Sequence, residues 1–485
     1  MTDIEEPKPS IIEKVFKITD NDTTVRTEVL SGLTTFMAMA YIVVVNPNVL
    51  TGYGLGSPEL KNGIFLATCI SSAIASLIMG FLANKPYCLA PGMGLNTFTA
   101  TTVISIMNVS GMGYDETFRA MLCVILIEGI IFLLLSIFNV REKIVEAIPY
   151  SIRHGISPSI GLMLINIGFG SNVSIVNSEG RQFYVLRDFF GSLSAGYAKD
   201  MMKDAYGEMV LSVLTMFVGI FFTIILVYKG IRGSVIISMM VSSIFYWVFD
   251  FIILERNPFL AFKSDFLPKF GDMFETTFFR FNFSGLFNFG WLAVITFIIT
   301  FVMIDMFDTI GTTVGTAHRH ENMIDKAGRI IRVKEVFISD SIGTIVGSCL
   351  GTSTVTTYIE SASGIEAGGR TGLTSVVCAL CFLFTIFLSP VTSIIPAPAT
   401  SSALIYVGIL MGSSLKDVDF TDLATCVPVI IMLITMPISG SIGHGIGLAL
   451  ISHTIIKVCI GETSDVPIVT YIISVIFTIK FFLVY

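Results

Sequence analysis

The segment LGTSTVTTYIESASGIEAGGRTG, Leu350–Gly372, changes its backbone preference part-way along. It opens with β-branched residues that favour extended backbone and is predicted to turn helical only after Glu360. A second segment, CLAPGMGLNTFTATTV, Cys88–Val103, has the same plan, with Pro and Gly first and a helix predicted after Asn96. Non-helical backbone at membrane depth is tolerated only where it is buried in protein or lines a cavity. We therefore expect two elements, each half strand and half helix, that cross near the membrane centre and aim helix N-termini at a ligand.

The composition places these segments in a membrane. Of the 485 residues, 53% are hydrophobic and only 13% are charged, whereas an average soluble domain carries roughly twice that charged fraction. Apolar runs long enough to cross a hydrocarbon core of roughly 30 Å recur from Leu30 onward, so the lipid bilayer is an expected partner. The net charge is −7, and the basic residues are dispersed among short loops. Because they form no basic stripe, binding of nucleic acid is not expected.

The cysteines and the N-terminal residues add no further class of site. The eight cysteines mostly lie in apolar segments without paired spacing, so neither a disulfide framework nor a metal site is expected. Residues 1–28 are polar and of mixed charge, and they lack the hydrophobic core of a cleaved signal peptide. They are expected to form a cytoplasmic N-terminal tail.

Fourteen spans are predicted from the apolar runs. They lie near residues 30–50, 64–84, 88–107, 117–138, 156–172, 208–229, 231–253, 290–316, 336–351, 352–366, 372–394, 399–413, 421–440 and 442–459. The final apolar segment, 466–484, is left open between a further span and a helix lying at the membrane interface.

Lysine and arginine in the connections predict a cytoplasmic N-terminus. The connections that would then face the cytoplasm contain Lys85, Arg141, Lys143, Arg153, Lys229, Arg232, Arg319, Lys326, Arg329, Arg332, Lys334, Arg370, Lys416 and Lys457. The short loops on the other side carry almost no basic residue, with Lys61 the exception. Two longer outside loops, 173–207 and 254–289, do carry some, but long loops are only weakly bound by this rule. The simplest location is the plasma membrane.

An internal repeat predicts the architecture. IPYSIRHGISPSIGLMLINIGFG, from Ile148, resembles IPAPATSSALIYVGILMG, from Ile395, and the segments from Gly230 and Gly440 also correspond. Because each half has seven spans, the second half must enter the membrane in the opposite sense. The predicted fold is an all-α polytopic membrane protein of about 14 spans in a 7+7 inverted repeat, with the two broken segments as the third span of each repeat.

Two acids lie in the eighth predicted span, within FVMIDMFDTIGTT, Phe301–Thr313. A charged carboxylate is costly at membrane depth, so such an acid is expected to be functional and to be able to carry a proton. Asp305 and Asp308 are three residues apart and share one face of the helix. They are the candidates for proton coupling, with Asp305 favoured to hold the transported proton.

Five motifs together resemble the azaguanine-resistance-type purine permeases of the nucleobase:cation symporter families. They are GLTTFMAMAYIVVVNPNVL at Gly32, APGMGLNTF at Ala90, DMFDTIGTTVG at Asp305, STVTTYIESASGIEAGGRTGLTS at Ser353 and SALIYVG at Ser402. The match spans nearly the whole chain, and TTYIES followed by GGRTGLT is its most specific part.

The resemblance implies proton-coupled uptake of hypoxanthine, guanine or adenine, with the proton as coupling ion and no cofactor. It implies a core domain, 29–138 and 290–394, that packs against a gate domain, 139–289 and 395–460, with 461–485 as a C-terminal apolar segment. It also assigns substrate binding to Asp308, Glu360 and Asn96.

The chemistry of these side chains suits a purine. A carboxylate can accept two N–H bonds at once, as from N1–H and the exocyclic amine of guanine, and an asparagine amide both donates and accepts. Aromatic candidates to stack on the ring are Tyr358, Phe36, Tyr41 and Phe98. Thr357 is a further candidate contact, although such hydroxyls more often bond to their own helix.

Some features of the sequence are also compatible with other functions. The inverted plan also suits anion carriers and the uracil or xanthine branches of the superfamily, but an anion site should present cations or donors, and this one offers acids. SASGIEAGGRTG also departs from the signature of the xanthine and uracil branches. An enzyme would need a catalytic dyad, and none is found at useful spacing, so the protein is not expected to be an enzyme. Small-residue faces permit a homodimer.

Overall fold

The computed structural model describes residues 10–52, 54–138, 149–169, 205–231, 233–255, 269–317, 331–388, 395–439 and 442–483. Six helical segments within these ranges are long and apolar enough to cross a membrane. The predicted cytoplasmic residues Arg141, Lys143, Arg232, Arg319, Lys326 and Arg329, and much of the long loops 173–207 and 254–289, lie outside the described residues.

The first half of the chain contains one strand and nine described helices. They are α1 (Ile11–Phe16), α2 (Val25–Met39), α3 (Ile42–Leu50), α4 (Pro58–Ile78), β1 (Leu89–Pro91), α5 (Met93–Ser110), α6 (Tyr114–Ile137), α7 (Tyr150–Phe169), α8 (Ala205–Tyr228) and α9 (Ser234–Leu254).

Two short helices, α10 (Phe270–Thr276) and α11 (Phe283–Phe287), lead into the second half. That half contains α12 (Trp291–Ala317), α13 (Val333–Leu350), β2 (Val355–Thr357), α14 (Ser361–Glu366), α15 (Gly372–Thr385), α16 (Ala397–Met411), α17 (Leu423–Ser439), α18 (Ile442–Cys459) and α19 (Ile468–Leu483).

The two halves follow the same order of elements. The pair α2–α3 corresponds to α12, α4 to α13, β1–α5 to β2–α14, and α6–α9 to α15–α18 in turn. The strands pair antiparallel in the register Leu89↔Thr357, Ala90↔Thr356 and Pro91↔Val355. The prediction of two half-strand, half-helix segments is therefore confirmed.

Two helices begin earlier in the chain than predicted. Helix α5 begins at Met93, three residues before the predicted start at Asn96, because Gly92 is extended (φ −68°, ψ 128°) and already acts as the N-cap. Helix α2 begins at Val25, inside the predicted tail 1–28, because the Thr24 side chain caps it by accepting from the Thr27 N–H. Glu360 is the N-cap residue of α14, as predicted.

The helices pack most extensively within two groups. In one group, α15 packs against α2 and α4, and α13 packs against α4 and α6. In the other, α7 packs against α16 and α17, α8 against α9 and α16, and α17 against α18. The division of the chain into moving core and gate domains stays a prediction.

Glycines bring backbones into contact within both groups. A Cβ on Gly372, at the start of α15, would lie 2.0 Å from the carbonyl oxygen of Gly80. Where α7 crosses α16, a Cβ on Gly161 or on Gly408 would lie 2.4 Å from the carbonyl oxygen of the other. Any side chain at these crossings would force the helices apart, which is the use that membrane proteins make of small residues.

The last apolar segment forms α19, which packs against α18 and α12. Phe477 is fully buried against Gly447, and the hydroxyls of Thr454 and Ser474 are 3.0 Å apart.

One buried carboxylate joins the starts of α2 and α15. Glu28 has no exposed surface and accepts hydrogen bonds from the N–H groups of Arg370 (2.7 Å), Thr371 (3.2 Å) and Thr374 (3.2 Å), and from the Thr374 hydroxyl (2.6 Å). The N–H groups of Thr371 and Thr374 belong to the start of α15, where a helix lacks its regular intrahelical acceptors. The Arg370 guanidinium donates in turn to the Ile365 carbonyl (2.6 Å) at the end of α14. Glu28 thus fixes the position of α14 and α15 relative to α2.

We expect Glu28→Ala to destabilise the protein by about 3 kcal/mol or more, because several buried donors lose a charged acceptor at once. Glu28→Gln keeps one acceptor oxygen and should cost less. Thermal unfolding of the detergent-solubilised protein measures the effect. Glu116→Ala, an exposed glutamate in the first turn of α6, is the matched control, and an equal Tm for both alanine variants would contradict the role of Glu28.

Candidate functional site

The crossing of β1 and β2 is the buried centre of the site. Beyond the strand ladder, the Gly92 N–H donates to the Thr354 carbonyl (3.0 Å), and the Tyr358 N–H donates to the Cys88 carbonyl (3.0 Å). The Ser76 hydroxyl accepts from the Leu89 N–H (3.0 Å), so side chains complete what the short ladder leaves unpaired. All six strand residues are buried. Helices α5 and α14 therefore start from a fixed point inside the protein.

Asp308 lies against the start of α5. Its Oδ2 is 3.5 Å from the point that a Cβ on Gly92 would occupy, and the methyl group of Thr356 is 2.7 Å from the same point. Only glycine fits at Gly92 without displacing Thr356. The Asp308 carboxylate, which is half-buried, sits where the helix dipole and free N–H groups favour negative charge.

Glu360 faces the same space from the start of α14. Its Oε1 accepts a hydrogen bond of 2.7 Å from the hydroxyl of Tyr41, a buried residue at the break between α2 and α3. The carboxyl groups of Asp308 and Glu360 are close enough for their charges to interact, and each also interacts with the Tyr358 hydroxyl. Tyr406, on α16 of the second helix group, is close enough to Glu360 for the two groups to interact electrostatically. The structure thus brings Asp308, Glu360 and Tyr358 together.

Tyr358 and Asn96 bind the crossing itself. The Tyr358 hydroxyl donates to the Pro91 carbonyl (2.5 Å), which spans the two broken segments. Asn96 has no exposed surface; its amide donates to the same Pro91 carbonyl (3.2 Å) and its Oδ1 accepts from the Ser353 hydroxyl. Both residues lie next to the predicted site, with polar groups that already hold β1 and β2 in register.

The predicted aromatic contacts lie in packed positions. Phe98 is buried against Phe301 and Phe297 of α12, with ring centroids 4.9 and 6.4 Å away. Phe36 packs edge-on against Phe382, with centroids 5.3 Å apart. Tyr41, which the sequence offered as a stacking ring, instead directs its hydroxyl at Glu360.

The two remaining predicted residues are fully or almost fully buried. Asp305 has no exposed surface on α12. Thr357 donates its N–H to Asp340 (3.0 Å), and its hydroxyl has no hydrogen-bond partner among the described residues. Its neighbour Thr356 is the threonine that faces Gly92 and Asp308.

Asp340, a fully buried acid on α13, was not among the predicted site residues. Its Oδ2 accepts from the Thr309 hydroxyl (2.7 Å) and its Oδ1 accepts from the Thr357 N–H (3.0 Å), while the hydroxyls of Thr309 and Thr356 are 2.8 Å apart. Asp340 therefore holds α12 and β2 against α13. Because Thr309 follows Asp308 directly, this bond also helps to fix the position of Asp308 at the crossing. The signal was present, since VFISDSIGT carries an isolated acid in an apolar run, as the eighth span does.

Residues 26–447 match the model of a permease family, Xan_ur_permease. The chain belongs to this permease family. It is 38% identical to a putative permease of Methanocaldococcus jannaschii over 97% of this chain and 98% of that protein. It is 35% identical to the adenine permease AdeP of Escherichia coli, over 97% and 96%. It is 31% identical to the guanine/hypoxanthine permease PbuO of Bacillus subtilis, over 97% and 100%.

Solved structures show the fold of this permease. The transmembrane domain of the cyanobacterial bicarbonate transporter BicA superposes with a TM-score of 0.59 at 12% identity, covering 88% of this chain and 97% of that one. The murine anion transporter Slc26a9 gives 0.55 at 11% identity, covering 94% and 74%. These are 7+7 inverted-repeat transporters. The predicted fold class and the predicted family are both confirmed, and the protein is an integral membrane transporter, not an enzyme.

We expect Asp340→Ala to abolish most hypoxanthine uptake, because the Thr309 hydroxyl and the Thr357 N–H lose their acceptor and a buried donor left unpaired costs about 1–3 kcal/mol. Asp340→Asn keeps one acceptor oxygen and should retain intermediate uptake. The measurement is initial uptake per molecule inserted in the membrane. Asp115→Ala, in the first turn of α6, removes another carboxylate that accepts two hydrogen bonds, both from Ser57 at the start of α4, and should leave uptake near wild type. Wild-type uptake by Asp340→Ala would contradict the role assigned to it.

Proposed function

We propose that this permease carries purine nucleobases, namely hypoxanthine, guanine and adenine, and that Asp308 and Glu360 bind the base. The observation that carries the proposal is the meeting of these two half-buried carboxylates at the starts of α5 and α14. Whole-length relatives are named adenine permease and guanine/hypoxanthine permease, which supports the substrate class.

The arrangement suits the edge of a purine. Tyr41 donates to Oε1 of Glu360; in this proposal Oε2 accepts an N–H of the base, and Asp308 offers further acceptors on the facing element. A guanine edge supplies N1–H and the exocyclic amine for them. The first-turn N–H groups of α5 lie beside Asp308 and can donate to a ring nitrogen or carbonyl oxygen of the base. Bases without a matching donor leave a buried carboxylate oxygen unpaired, which is the source of specificity.

Proton symport is the coupling we propose. Asp305 and Asp308 lie three residues apart on α12, so their charges repel each other when both are ionised, and a proton on Asp305 removes that repulsion. Asp305, fully buried on the same helix as Asp308, holds the transported proton in this proposal, and Asp308 and Glu360 hold the base. The proton is then the only coupling ion required.

Alternating access would move the helix group that carries α2–α6 and α12–α15 relative to the group that carries α7–α9 and α16–α18. Tyr406 supports this proposal, because it belongs to the second group and interacts electrostatically with Glu360 of the first. We assign the protein to the plasma membrane with its N-terminus in the cytoplasm. A homodimer remains a prediction.

An anion carrier is the alternative that the fold relatives suggest, since both are transporters of anions by their titles. Acids converge here on the space where an anion would have to bind. The charges therefore favour a neutral solute with hydrogen-bond donors.

Competition of labelled hypoxanthine uptake tests the substrate class. In cells that lack their own permeases, unlabelled adenine and guanine should compete, whereas uracil and bicarbonate should not, because they lack the purine edge. Competition by uracil alone would move the protein to another branch of the family.

Single substitutions test the two carboxylates. Asp308→Asn and Glu360→Gln keep the shape of the side chain but lose the charged acceptor, and each should reduce the apparent affinity for hypoxanthine at least about tenfold, since a hydrogen bond to a charged group is worth about 1.5–3 kcal/mol. Glu366→Gln, at the other end of α14, is the control. Normal uptake by both site variants would refute the assignment.

Uptake by the wild type that survives collapse of the proton gradient would refute the symport.

A further inference from the structure

Helix α6 carries a buried acid that the proposed binding site does not use. Glu128 has no exposed surface and lies near the middle of this 24-residue helix. An ionisable residue so deep in a membrane protein is costly to keep and usually functional. The hydrogen bonds of Glu128 therefore indicate which part of the protein its charge can affect.

Two hydrogen bonds connect Glu128 with the binding site. The Thr354 hydroxyl donates to Oε2 of Glu128 (3.2 Å). The Thr354 carbonyl accepts from the N–H of Gly92 (3.0 Å), the residue against which Asp308 lies. One threonine thus links the carboxyl group on α6 to the start of α5.

Helix α12 approaches the same face of this segment. Thr354 and Thr356 are two residues apart in extended chain, so their side chains lie on one face. Thr309 of α12 contacts Thr356 through its hydroxyl, and Asp305 precedes Thr309 by four residues, about one helical turn, on the same side of α12. Since α6 packs against α12, Glu128 lies on the helix next to the one that carries Asp305.

The other charged groups around α6 are few. Of the elements packed against it, α12 adds Asp308, and α13 carries Lys334, Glu335 and Asp340. Lys334 donates to the Ile137 carbonyl at the far end of α6 (3.0 Å). Helices α5 and α11 contribute no charged residue.

We propose that Glu128 is a second proton-coupling residue, which takes up a proton in the transport cycle. Its change of charge then affects the substrate site through the hydrogen bonds of Thr354. This rests on the proposed proton symport. Charged Glu128 accepts strongly from the Thr354 hydroxyl, whereas the neutral acid accepts more weakly and gains a donor of its own. Because Thr354 also holds the Gly92 N–H, a change at Glu128 alters the support of the helix start beside Asp308.

Assays on purified protein in liposomes measure proton coupling separately from transport of the base. Hypoxanthine uptake is measured with and without an inside-alkaline pH gradient, and exchange of internal for external hypoxanthine is measured at equal pH. The wild type should show both gradient-driven uptake and exchange. Glu128→Gln should exchange hypoxanthine at a rate within about threefold of the wild-type rate. The pH gradient should stimulate its uptake at least about tenfold less than it stimulates wild-type uptake, since a neutral amide cannot titrate.

Two further variants complete the test. Glu128→Asp keeps a titratable carboxyl group on a shorter side chain. This variant should retain gradient-driven uptake, with the pH dependence of uptake shifted from that of the wild type. Glu116→Gln, on the exposed first turn of the same helix, should match the wild type in every assay.

The outcomes distinguish the two proposals. A wild-type protein that exchanges hypoxanthine without responding to the gradient overturns the proton symport and, with it, the role of Glu128. A wild type and a Glu128→Gln variant that respond equally overturn the role of Glu128 alone. Loss of exchange in Glu128→Gln together with an unchanged pH profile in Glu128→Asp would make Glu128 a structural residue only, which also overturns the inference.

Discussion

The antiparallel pairing of two three-residue strands is the constraint on which the rest of the structure depends. Backbone polar groups inside a membrane must find partners within the protein. Leu89–Pro91 and Val355–Thr357 find them in each other, and Ser76, Thr344 and Asp340 take the groups that so short a ladder leaves over. Once the strands are fixed, the starts of α5 and α14 are fixed as well, and the acids beside those starts acquire a defined place.

Buried carboxylates carry much of this positioning. Glu28 holds the start of α15, Asp340 holds α12 and β2, and Glu128 receives Thr354 ahead of β2. Each of the three accepts hydrogen bonds from N–H or hydroxyl donors of another element. Neutral donors avoid the cost of burying a second charge. They also leave the charge of each acid free to respond to protons or to a ligand.

The sequence was sufficient to predict the broken segments, because Pro, Gly and β-branched residues beside a helical stretch have a local meaning. The acids of the eighth span were visible in the sequence because they interrupt an apolar run, whereas the binding roles of Asp308 and Glu360 follow from the family resemblance and stay a prediction. The sequence placed the start of α5 at Asn96 because a polar residue resembles a cap, whereas extended Gly92 takes that position. The roles of Glu28, Asp340 and Tyr41 could not be predicted, because their partners are distant in sequence or depend on the direction of a side chain. For Tyr41, the partner Glu360 is 319 residues away.

These separations also bear on the order in which the chain is made. Glu28 receives its first backbone donor from Arg370, 342 residues later, and β1 waits for a partner that lies in the other half of the chain. During synthesis, the first half must enter the bilayer with a carboxylate and a strand that its own residues do not satisfy. Water, lipid headgroups or the insertion machinery must shelter both until the tenth span arrives, so the two halves cannot be assembled as independent units.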